Sequence, residues 1–390
     1  MERHQAPLLT EDAKREVVPA LLNPIEYRKS GLSLNHVIGC PLDCAYCVRH
    51  LFHNYEMKQP HRIVDDETAV DMLVSHKYFQ PHITPLQVFN RATDPFLPKV
   101  RPHLFRVVEL LDQRGLTNHL LIITRSRVTI EDCERLNAVR NLKITLLVTY
   151  SGIDDKRIEP IDSRLAAETL ARAHGMSERY RVILYWRPLV SGLNDSPAHI
   201  ARAFRLANHA HATVFTGLFY REEIQSYYRK MSLPEPVDLP ARRKILVRSL
   251  EGRVLTAWRK MGSTVPLFRK TSCAVSFAHR LADYNGHYGI RELCDICPVD
   301  QVRRCADAFR KPDLQTVTRL ASSLGAAKPP TIDDRAVQVA GLSEEPRYYM
   351  QHSFEYQVHD ERYPHLPSRH GRSEIGWTDE SDEQESSMEE

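Results

Sequence analysis

The chain has 390 residues, of which 42% are apolar and 26% charged, so it can bury one large core plus one or two small appendages, as soluble globular proteins do. It contains no apolar run long enough to span a bilayer, and its first thirty residues carry charges throughout, so we expect neither a membrane protein nor a secretory signal. The net charge of +3 includes an acidic stretch from Ser373 to Glu390 with eight acidic residues and no Lys or Arg. The rest of the chain therefore carries a net charge of +11, the difference between +3 and −8. Such a basic chain is compatible with a nucleic-acid partner but does not require one.

The polar lead-in, residues 1–30, is followed by alternating strands and helices. Six apolar runs predict strands, at Leu32–Ile38, Leu86–Phe89, Leu120–Thr124, Leu142–Thr149, Arg181–Trp186 and Ala212–Thr216. Helices are predicted between them, at Asp65–Tyr78, Val100–Arg114, Ile130–Arg140, Ser163–His174 and Ser196–Asn208. Continuous apolar strands separated by helices are typical of a parallel sheet covered by helices, either an open doubly wound sheet or a partial barrel.

Three cysteines lie in the eight residues Cys40-Pro41-Leu42-Asp43-Cys44-Ala45-Tyr46-Cys47, directly after the first predicted strand. Three thiols in so short a loop can all turn onto one metal centre, and they are one short of a full set of four. Such a centre keeps one coordination position open, which is typical of catalytic metal sites and not of structural ones. A structural zinc knuckle and unrelated thiols are the alternative interpretations.

Hydrogen-bonding side chains follow nearly every predicted strand, at the edge of the sheet where α/β proteins carry their active sites. The ones that we select follow the second, third and fourth strands: Asn90, Thr93, Asp94, Arg125, Ser126, Thr149 and Ser151. Ordinary loop polarity is the alternative explanation for each of them.

The cysteine spacing resembles the cluster loop of the radical S-adenosylmethionine (SAM) superfamily. In that family three thiolates hold a 4Fe–4S cluster whose fourth iron binds SAM. The resemblance implies an α/β fold, a partial (β/α)6 radical SAM barrel with a helical, cysteine-containing C-terminal extension. It also implies that Cys40, Cys44 and Cys47 hold the cluster, and that Tyr46 and the strand-end residues orient SAM.

Further motifs resemble one branch of this superfamily, the branch that contains spore photoproduct lyase and proteins labelled DNA repair photolyases. They are Thr93-Asp94-Pro95, Thr124-Arg125-Ser126, Glu159-Pro160 and Pro188 with Gly192-Leu193-Asn194-Asp195. Two features depart from that branch. The second strand ends without the hydrogen-donor cysteine of spore photoproduct lyase, which argues against thymine-dimer repair. Arg125 stands where the branch has a lysine, and it still offers a cation to the SAM carboxylate.

A second cysteine group, Cys273, Cys294, Cys297 and Cys305, follows two predicted helices, Arg221–Lys230 and Ala241–Met261. Four thiols form a closed ligand set, for which we favour an auxiliary Fe–S cluster over a structural zinc, with unligated thiols as the third alternative. The arginines Arg242, Arg243, Arg253 and Arg259 give the second helix a basic outer side, either a nucleic-acid face or a solvated one. Cys133 lies apart from both groups, as a buried small hydrophobe.

Between the second-group cysteines, Tyr284, His287 and Tyr288 are candidate catalytic residues, because each could offer a proton or an oxidisable hydrogen. Packing around the metal site is an equally good interpretation.

Beyond the second cysteine group we predict helices at Leu314–Leu324 and Ile332–Val339 and a strand or hairpin at Arg347–Val358. The expected domains are a lead-in (1–30), a barrel (31–220), a helical extension (221–312), a small α/β appendage (313–370) and a disordered acidic tail (371–390).

The sequence therefore predicts a radical SAM enzyme, of lyase or transferase type, that uses the cluster to cleave SAM and generate a hydrogen-abstracting 5′-deoxyadenosyl radical. We expect an electron donor such as flavodoxin or ferredoxin. Because the eight cysteines accompany no export signal, we also expect a cytoplasmic location. The substrate is either a nucleic acid or nucleotide, or else a small metabolite or peptide. A non-enzymatic, zinc-binding nucleic-acid-binding protein is the alternative from another class.

Overall fold

The computed structural model describes residues 5–236, 240, 244–262 and 264–362. The predicted acidic tail and the arginines Arg242 and Arg243 lie outside the described residues. Within them, no helix is both long and apolar enough to cross a membrane.

The strands and helices are numbered in chain order. The strands are β1 (Ile25–Arg28), β2 (Gly31–Leu34), β3 (Val37–Ile38), β4 (His61–Arg62), β5 (Leu86–Val88), β6 (His119–Thr124), β7 (Lys143–Tyr150), β8 (Arg181–Leu189), β9 (Ala212–Phe219), β10 (Lys244–Ile245), β11 (Leu267–Phe268), β12 (Thr331–Ile332), β13 (Ala336–Val339) and β14 (Gln357–Asp360). The helices are α1 (Glu11–Glu16), α2 (Pro19–Leu22), α3 (Asp66–Val74), α4 (Arg101–Gln113), α5 (Ile130–Ala138), α6 (Ser163–Met176), α7 (Pro197–Ala207), α8 (Glu222–Lys230), α9 (Arg248–Lys260), α10 (Thr271–Ala278), α11 (Arg291–Cys294), α12 (Val299–Ala308), α13 (Leu314–Ser323) and α14 (Glu344–Phe354). A short 3-10 helix spans Val48–Phe52.

A nine-stranded sheet forms the centre of the molecule, in the order β1-β2-β5-β6-β7-β8-β9-β10 with β11 also paired to β9. The strands from β2 to β9 in this order are parallel to one another, and β1 and β10 run antiparallel at the two ends. The predicted mixed α/β class with a mainly parallel sheet is therefore confirmed. The first predicted strand differs in detail, since its second half, β3, pairs with β4 in a separate two-stranded sheet.

Both faces of the central sheet are buried, which explains the continuous apolar runs in the sequence. Neighbouring residues of a strand point to opposite faces. Thus Leu146 packs in the main core with the covering helices, whereas Leu147 packs with Ile183, Val214 and Val275 of α10 on the other face. All six parallel strands end at one edge, so the residues that follow them are gathered there.

Three predictions for the later part of the chain were wrong. The helix predicted at Ala241–Met261 begins at Arg248, and β10 precedes it. The helix predicted at Ile332–Val339 is instead the β12–β13 hairpin, which β14 extends in parallel. The segment predicted as a strand or hairpin at Arg347–Val358 is mostly α14, whose first turn carries Glu344 and Glu345, as the positive end of a helix dipole favours. The strands among them, β10, β12 and β13, have two to four residues each, so their tertiary partners decide their structure.

Candidate functional site

The loop that carries Cys40, Cys44 and Cys47 is fixed at its entry by Gly39. This residue has φ +95°, and a Cβ there would overlap the carbonyl oxygen of Gln59, so the position accepts only glycine. Backbone hydrogen bonds hold the loop further, from Cys40 N to Met57 O at 2.9 Å and from Ala45 N to Ile158 O at 3.0 Å. The thiols therefore lie on a backbone whose course is set by its neighbours.

Arg49 ties this loop to the segment that follows it. The residue is 1% exposed, and its guanidinium group donates to the carbonyl oxygens of Leu42 at 2.6 Å and Tyr55 at 2.9 Å, with two longer contacts to those of Asn54 and Met57. A buried guanidinium with backbone acceptors on several sides acts as a rigid cross-link. The sequence analysis missed Arg49, and no motif around it would have indicated this role.

Arg125 connects the cysteine loop to the sheet. Its Nη1 atom donates to Tyr46 Oη at 2.7 Å, to Glu159 Oε2 at 3.2 Å and to Cys44 Sγ at 3.2 Å, and Tyr46 in turn donates to Glu159. Burial raises the pKa of the Cys44 thiol, and the Arg125 charge opposes that rise. Since a metal binds the thiolate, the nearby guanidinium favours the form of Cys44 that a cluster requires.

A cavity of about 890 Å³, open solvent included, lies at the carboxyl edge of the parallel strands. The three cysteines line it together with six of the predicted cofactor-binding residues: Tyr46, Asn90, Thr93, Asp94, Arg125 and Thr149. Two other predicted residues, Ser126 and Ser151, are not among the described residues that line it. The Ser151 hydroxyl instead accepts from Ile153 N at 3.3 Å and supports the following loop.

The polar groups of the cavity differ in whether their hydrogen bonds are already made within the protein. Asp94 accepts from Thr124 Oγ1 at 2.7 Å and Arg125 N at 2.8 Å, so it positions the end of β6. Thr93 Oγ1 is buried and has no hydrogen-bond partner in the part of the chain that the structure describes. A buried hydroxyl of this kind, beside three thiols, fits a bound polar ligand such as a ribose or an amino acid group.

The cavity lining also includes Arg187 and Lys244, which meet at the hydroxyl of Tyr185, and the sequence analysis missed Tyr185 and Lys244. The Tyr185 hydroxyl receives hydrogen bonds from Arg187 Nη1 at 3.3 Å and Lys244 Nζ at 3.4 Å, and it lies 3.3 Å from Thr271 Oγ1. Arg187 and Lys244 line the cavity, and the Arg187 guanidinium also stacks 4.2 Å from the Tyr185 ring centre. Besides the three thiols, the cavity therefore has a group of cations at the Tyr185 hydroxyl, Arg187 and Lys244, which we name its cationic end.

The second cysteine group lies on and around α10, α11 and α12, and its four thiols are free. Burial raises the pKa of Cys273, and the charges of Asp283 and the other three cysteines raise it further. Candidate ligand atoms of Cys273, Asp283 and His287 lie within 4.8 Å of one another. The His287 Nδ1 atom is 2.8 Å from Asp283 Oδ2 and 3.9 Å from Cys273 Sγ. The group within this distance contains one of the four thiols, with an imidazole and a carboxylate, which are ligand types that a transition metal accepts.

The three candidate catalytic residues lie with this second group and not among the described residues that line the cavity. Tyr284 packs against His119, with ring centres 5.2 Å apart, and Tyr288 packs against Phe309 at the same distance. His287 is held by Asp283. The structure thus brings six of the eight predicted cofactor-binding residues to one cavity, and separates the predicted catalytic residues from them.

No protein-family model and no curated protein matches this chain. Among solved structures, it is similar to spore photoproduct lyase complexed with dinucleoside spore photoproduct, at 11% identity and a TM-score of 0.46, over 62% of this chain and 78% of that one. It is also similar to Streptococcus suis SuiB bound to S-adenosylmethionine, at 9% identity and a TM-score of 0.42, over 66% of this chain and 54% of that one. SuiB bound to the precursor peptide SuiA gives 10% identity and a TM-score of 0.42, over 60% and 47%. Spore photoproduct lyase is the enzyme whose branch the sequence motifs resemble.

Proposed function

We propose that the chain is a radical SAM enzyme and that its six parallel strands form a partial (β/α)6 barrel around the cavity. The observation that carries the proposal is that the three thiols of the cluster-loop motif face one cavity with Tyr46, Asn90, Thr93 and Arg125. Cys40, Cys44 and Cys47 would hold a 4Fe–4S cluster with SAM on its open iron. When bound and reduced, this pair supplies a 5′-deoxyadenosyl radical that abstracts a substrate hydrogen atom.

The residues of the chain bind the cluster and SAM and orient them. Arg125 favours the Cys44 thiolate and offers a cation to the SAM carboxylate, while Glu159 and Tyr46 hold its guanidinium in place. The free hydroxyl of Thr93 and the side chain of Asn90 are donors and acceptors for the rest of the ligand. The apolar lining, which includes Phe89 and Leu218, excludes water from the reacting carbon.

The substrate class and partners are part of the same proposal. A nucleic acid or nucleotide is supported by the basic body of the chain, and a small metabolite or peptide by the absence of the hydrogen-donor cysteine. An electron donor such as flavodoxin or ferredoxin would reduce the cluster.

The decisive experiment is anaerobic reconstitution with iron and sulfide, reduction with dithionite and quantification of 5′-deoxyadenosine. Wild-type protein should be brown and form the product, and Cys44→Ala should abolish product formation because the cluster loses a ligand. Cys133→Ala is the matched control, since Cys133 is a buried free thiol in α5 outside both cysteine groups. Undiminished SAM cleavage by Cys44→Ala, or zinc bound at this loop, would show that the cluster assignment is wrong.

We further propose that Cys273, Cys294, Cys297 and Cys305 hold an auxiliary Fe–S cluster, with a structural zinc as the alternative. A two-residue spacing places Cys294 and Cys297 side by side, with Cys297 N bonded to Cys294 O at 3.2 Å. Either metal would anchor the helical extension, residues 221–312, to the sheet, and a cluster could also relay an electron.

Cys297→Ala tests the second centre, because it removes one ligand and leaves the first loop untouched. We expect total iron to fall by about half, in line with one of two cubane clusters, while the first cluster keeps its electron paramagnetic resonance signal after reduction. Cys133→Ala should retain all of its iron. Unchanged iron with lost zinc would instead identify the second centre as a zinc site.

A further inference from the structure

The cationic end of the cavity contains two charges that the described residues do not neutralise. Three other arginines line the same cavity, and each has its own acceptors: Arg49 has backbone carbonyls, Arg91 has Glu26 at 3.2 Å, and Arg125 has Glu159. In the described part of the chain, Arg187 and Lys244 have the Tyr185 hydroxyl as their shared acceptor and form no ion pair with a carboxylate.

The geometry around Tyr185 leaves this pair of cations free to take a further anion. Two like charges converge on the hydroxyl oxygen of Tyr185, which is 3% exposed, while Arg187 is half-buried and Lys244 is exposed. A neutral phenol leaves both positive charges uncompensated, and a phenolate compensates one of them. In either state the pair retains at least one positive charge in a partly enclosed cavity, where an ionised ligand gains most from it.

The cationic pair and the arginine that the proposed function places at the SAM carboxylate have separate partners. Arg187 lies in β8 and Lys244 in β10, whereas Arg125 directly follows β6. Arg125 donates to Cys44, Tyr46 and Glu159, and the cationic pair donates to Tyr185. Among the described residues the two sets of cations therefore share no hydrogen-bond acceptor, so each can hold an anion of its own.

We propose that Arg187 and Lys244 anchor a phosphate group of the substrate. The planar fork of an arginine can bind two phosphate oxygens at once, and a lysine adds a point charge beside it. Tyr185 holds the two cations at the wall of the cavity and Thr271 holds the Tyr185 hydroxyl. This proposal rests on the proposed function, in which SAM is the other ligand of the cavity. It favours a nucleotide or another phosphorylated molecule as the substrate over an uncharged metabolite.

The experiment measures binding of inorganic phosphate to the reconstituted full-length protein by isothermal titration calorimetry. We expect one saturable site in the wild type, and binding about tenfold weaker or more in Arg187→Gln and in Lys244→Gln, the scale of a lost charge-assisted hydrogen bond. Lys311→Gln is the matched control, because Lys311 is an exposed lysine paired with Asp334. Wild-type phosphate affinity in Lys244→Gln, whose residue lies at the exposed edge strand β10, would overturn the proposal without any question of misfolding.

Two further arms identify the source of the anion. Saturating SAM should leave phosphate affinity unchanged within about threefold, whereas displacement of phosphate by SAM would mean that the pair binds the SAM carboxylate. Acetate should compete at least about tenfold less well than phosphate, and equal competition would overturn the assignment to phosphate. Because phosphate binding needs no cluster, a protein that binds phosphate at this pair but forms no 5′-deoxyadenosine would contradict the proposed function alone.

Discussion

Tyr185 shows how the charges of the cavity act on a single side chain. Burial opposes ionisation of its hydroxyl, but Arg187 and Lys244 outweigh burial and lower its pKa to about 7. The unfolded chain has a tyrosine pKa of about 10. Since the folded value is depressed, the stabilisation is complete above about pH 10 and is lost as the pH falls through 7.

This shift gives an expected result in solution. Among the 16 tyrosines, one should titrate with a midpoint near pH 7 when the protein carries ¹³Cζ-labelled tyrosine and is followed by NMR. That resonance should be absent from Tyr185→Phe, and Lys244→Gln should raise its midpoint by removing one of the two charges. If no tyrosine titrates below pH 9 in the wild type, the cationic end of the cavity is not assembled as described.

How well the site could be predicted also differs from residue to residue. Cys40, Cys44 and Cys47 could be predicted because the local spacing of the cysteines indicates their chemistry. Thr93 and Arg125 could be predicted because parallel strands end at one edge of a sheet. Arg49, Tyr185 and Lys244 could not be predicted from the sequence. Tyr185 meets Thr271 across 86 positions of sequence and Lys244 across 59, so no local pattern contains the contact.

At the scale of elements, the cysteine loop depends on the backbone turn at its entry. Gly39 and Gly115 both have positive φ angles, of +95° and +69°. A Cβ at Gly39 would overlap the Gln59 carbonyl, whereas a Cβ at Gly115 would meet nothing within 4 Å. A comparison of alanine substitutions at the two positions therefore separates the effect of steric overlap, present only at Gly39, from the backbone strain that both positions share.

We expect Gly39→Ala to destabilise the protein by about 3 kcal/mol or more, since overlap adds to the strain of a left-handed alanine. It should also lower the iron content, because the loop must shift to relieve the overlap. Gly115→Ala should cost about 1 kcal/mol and keep its iron. Urea unfolding and iron analysis measure both effects, and equal behaviour of the two variants would rule out a steric role for Gly39.

The sequence predicted long elements better than short ones, for a physical reason. The six parallel strands are buried on both faces, so each leaves a continuous apolar run that periodicity detects. Strands such as β12 and β13 have only two and four residues, too few to show a periodicity. Their structure is decided by partners that arrive later in the chain, as when β13 pairs with β14.

At the scale of the whole molecule, Asn285 joins β1 and α14 to the loop between Cys273 and Cys294. Its side-chain oxygen accepts from Gln351 Nε2 and His352 Nε2, both at 2.9 Å, and His352 Nδ1 accepts from the Tyr27 hydroxyl of β1 at 2.8 Å. Burial lowers the pKa of His352 to about 3, so the ring is neutral at pH 7 and can serve as donor on one nitrogen and acceptor on the other. This chain of hydrogen bonds fixes the loop between Cys273 and Cys294 against α14.

Replacing Asn285 by alanine should therefore loosen the molecule at a distance from the cavity. The change leaves two buried donors without their acceptor, which costs about 2–4 kcal/mol. We expect faster amide hydrogen exchange in α14 and reduced metal loading of the second cysteine group, while 5′-deoxyadenosine formation persists at the first. Asn141→Ala is the control, because Asn141 bonds Asp112 on the exposed surface. If Asn285→Ala instead left α14 as protected as in the wild type, the second centre and the C-terminal helix would be independent units, and the hydrogen-bond chain would not couple them.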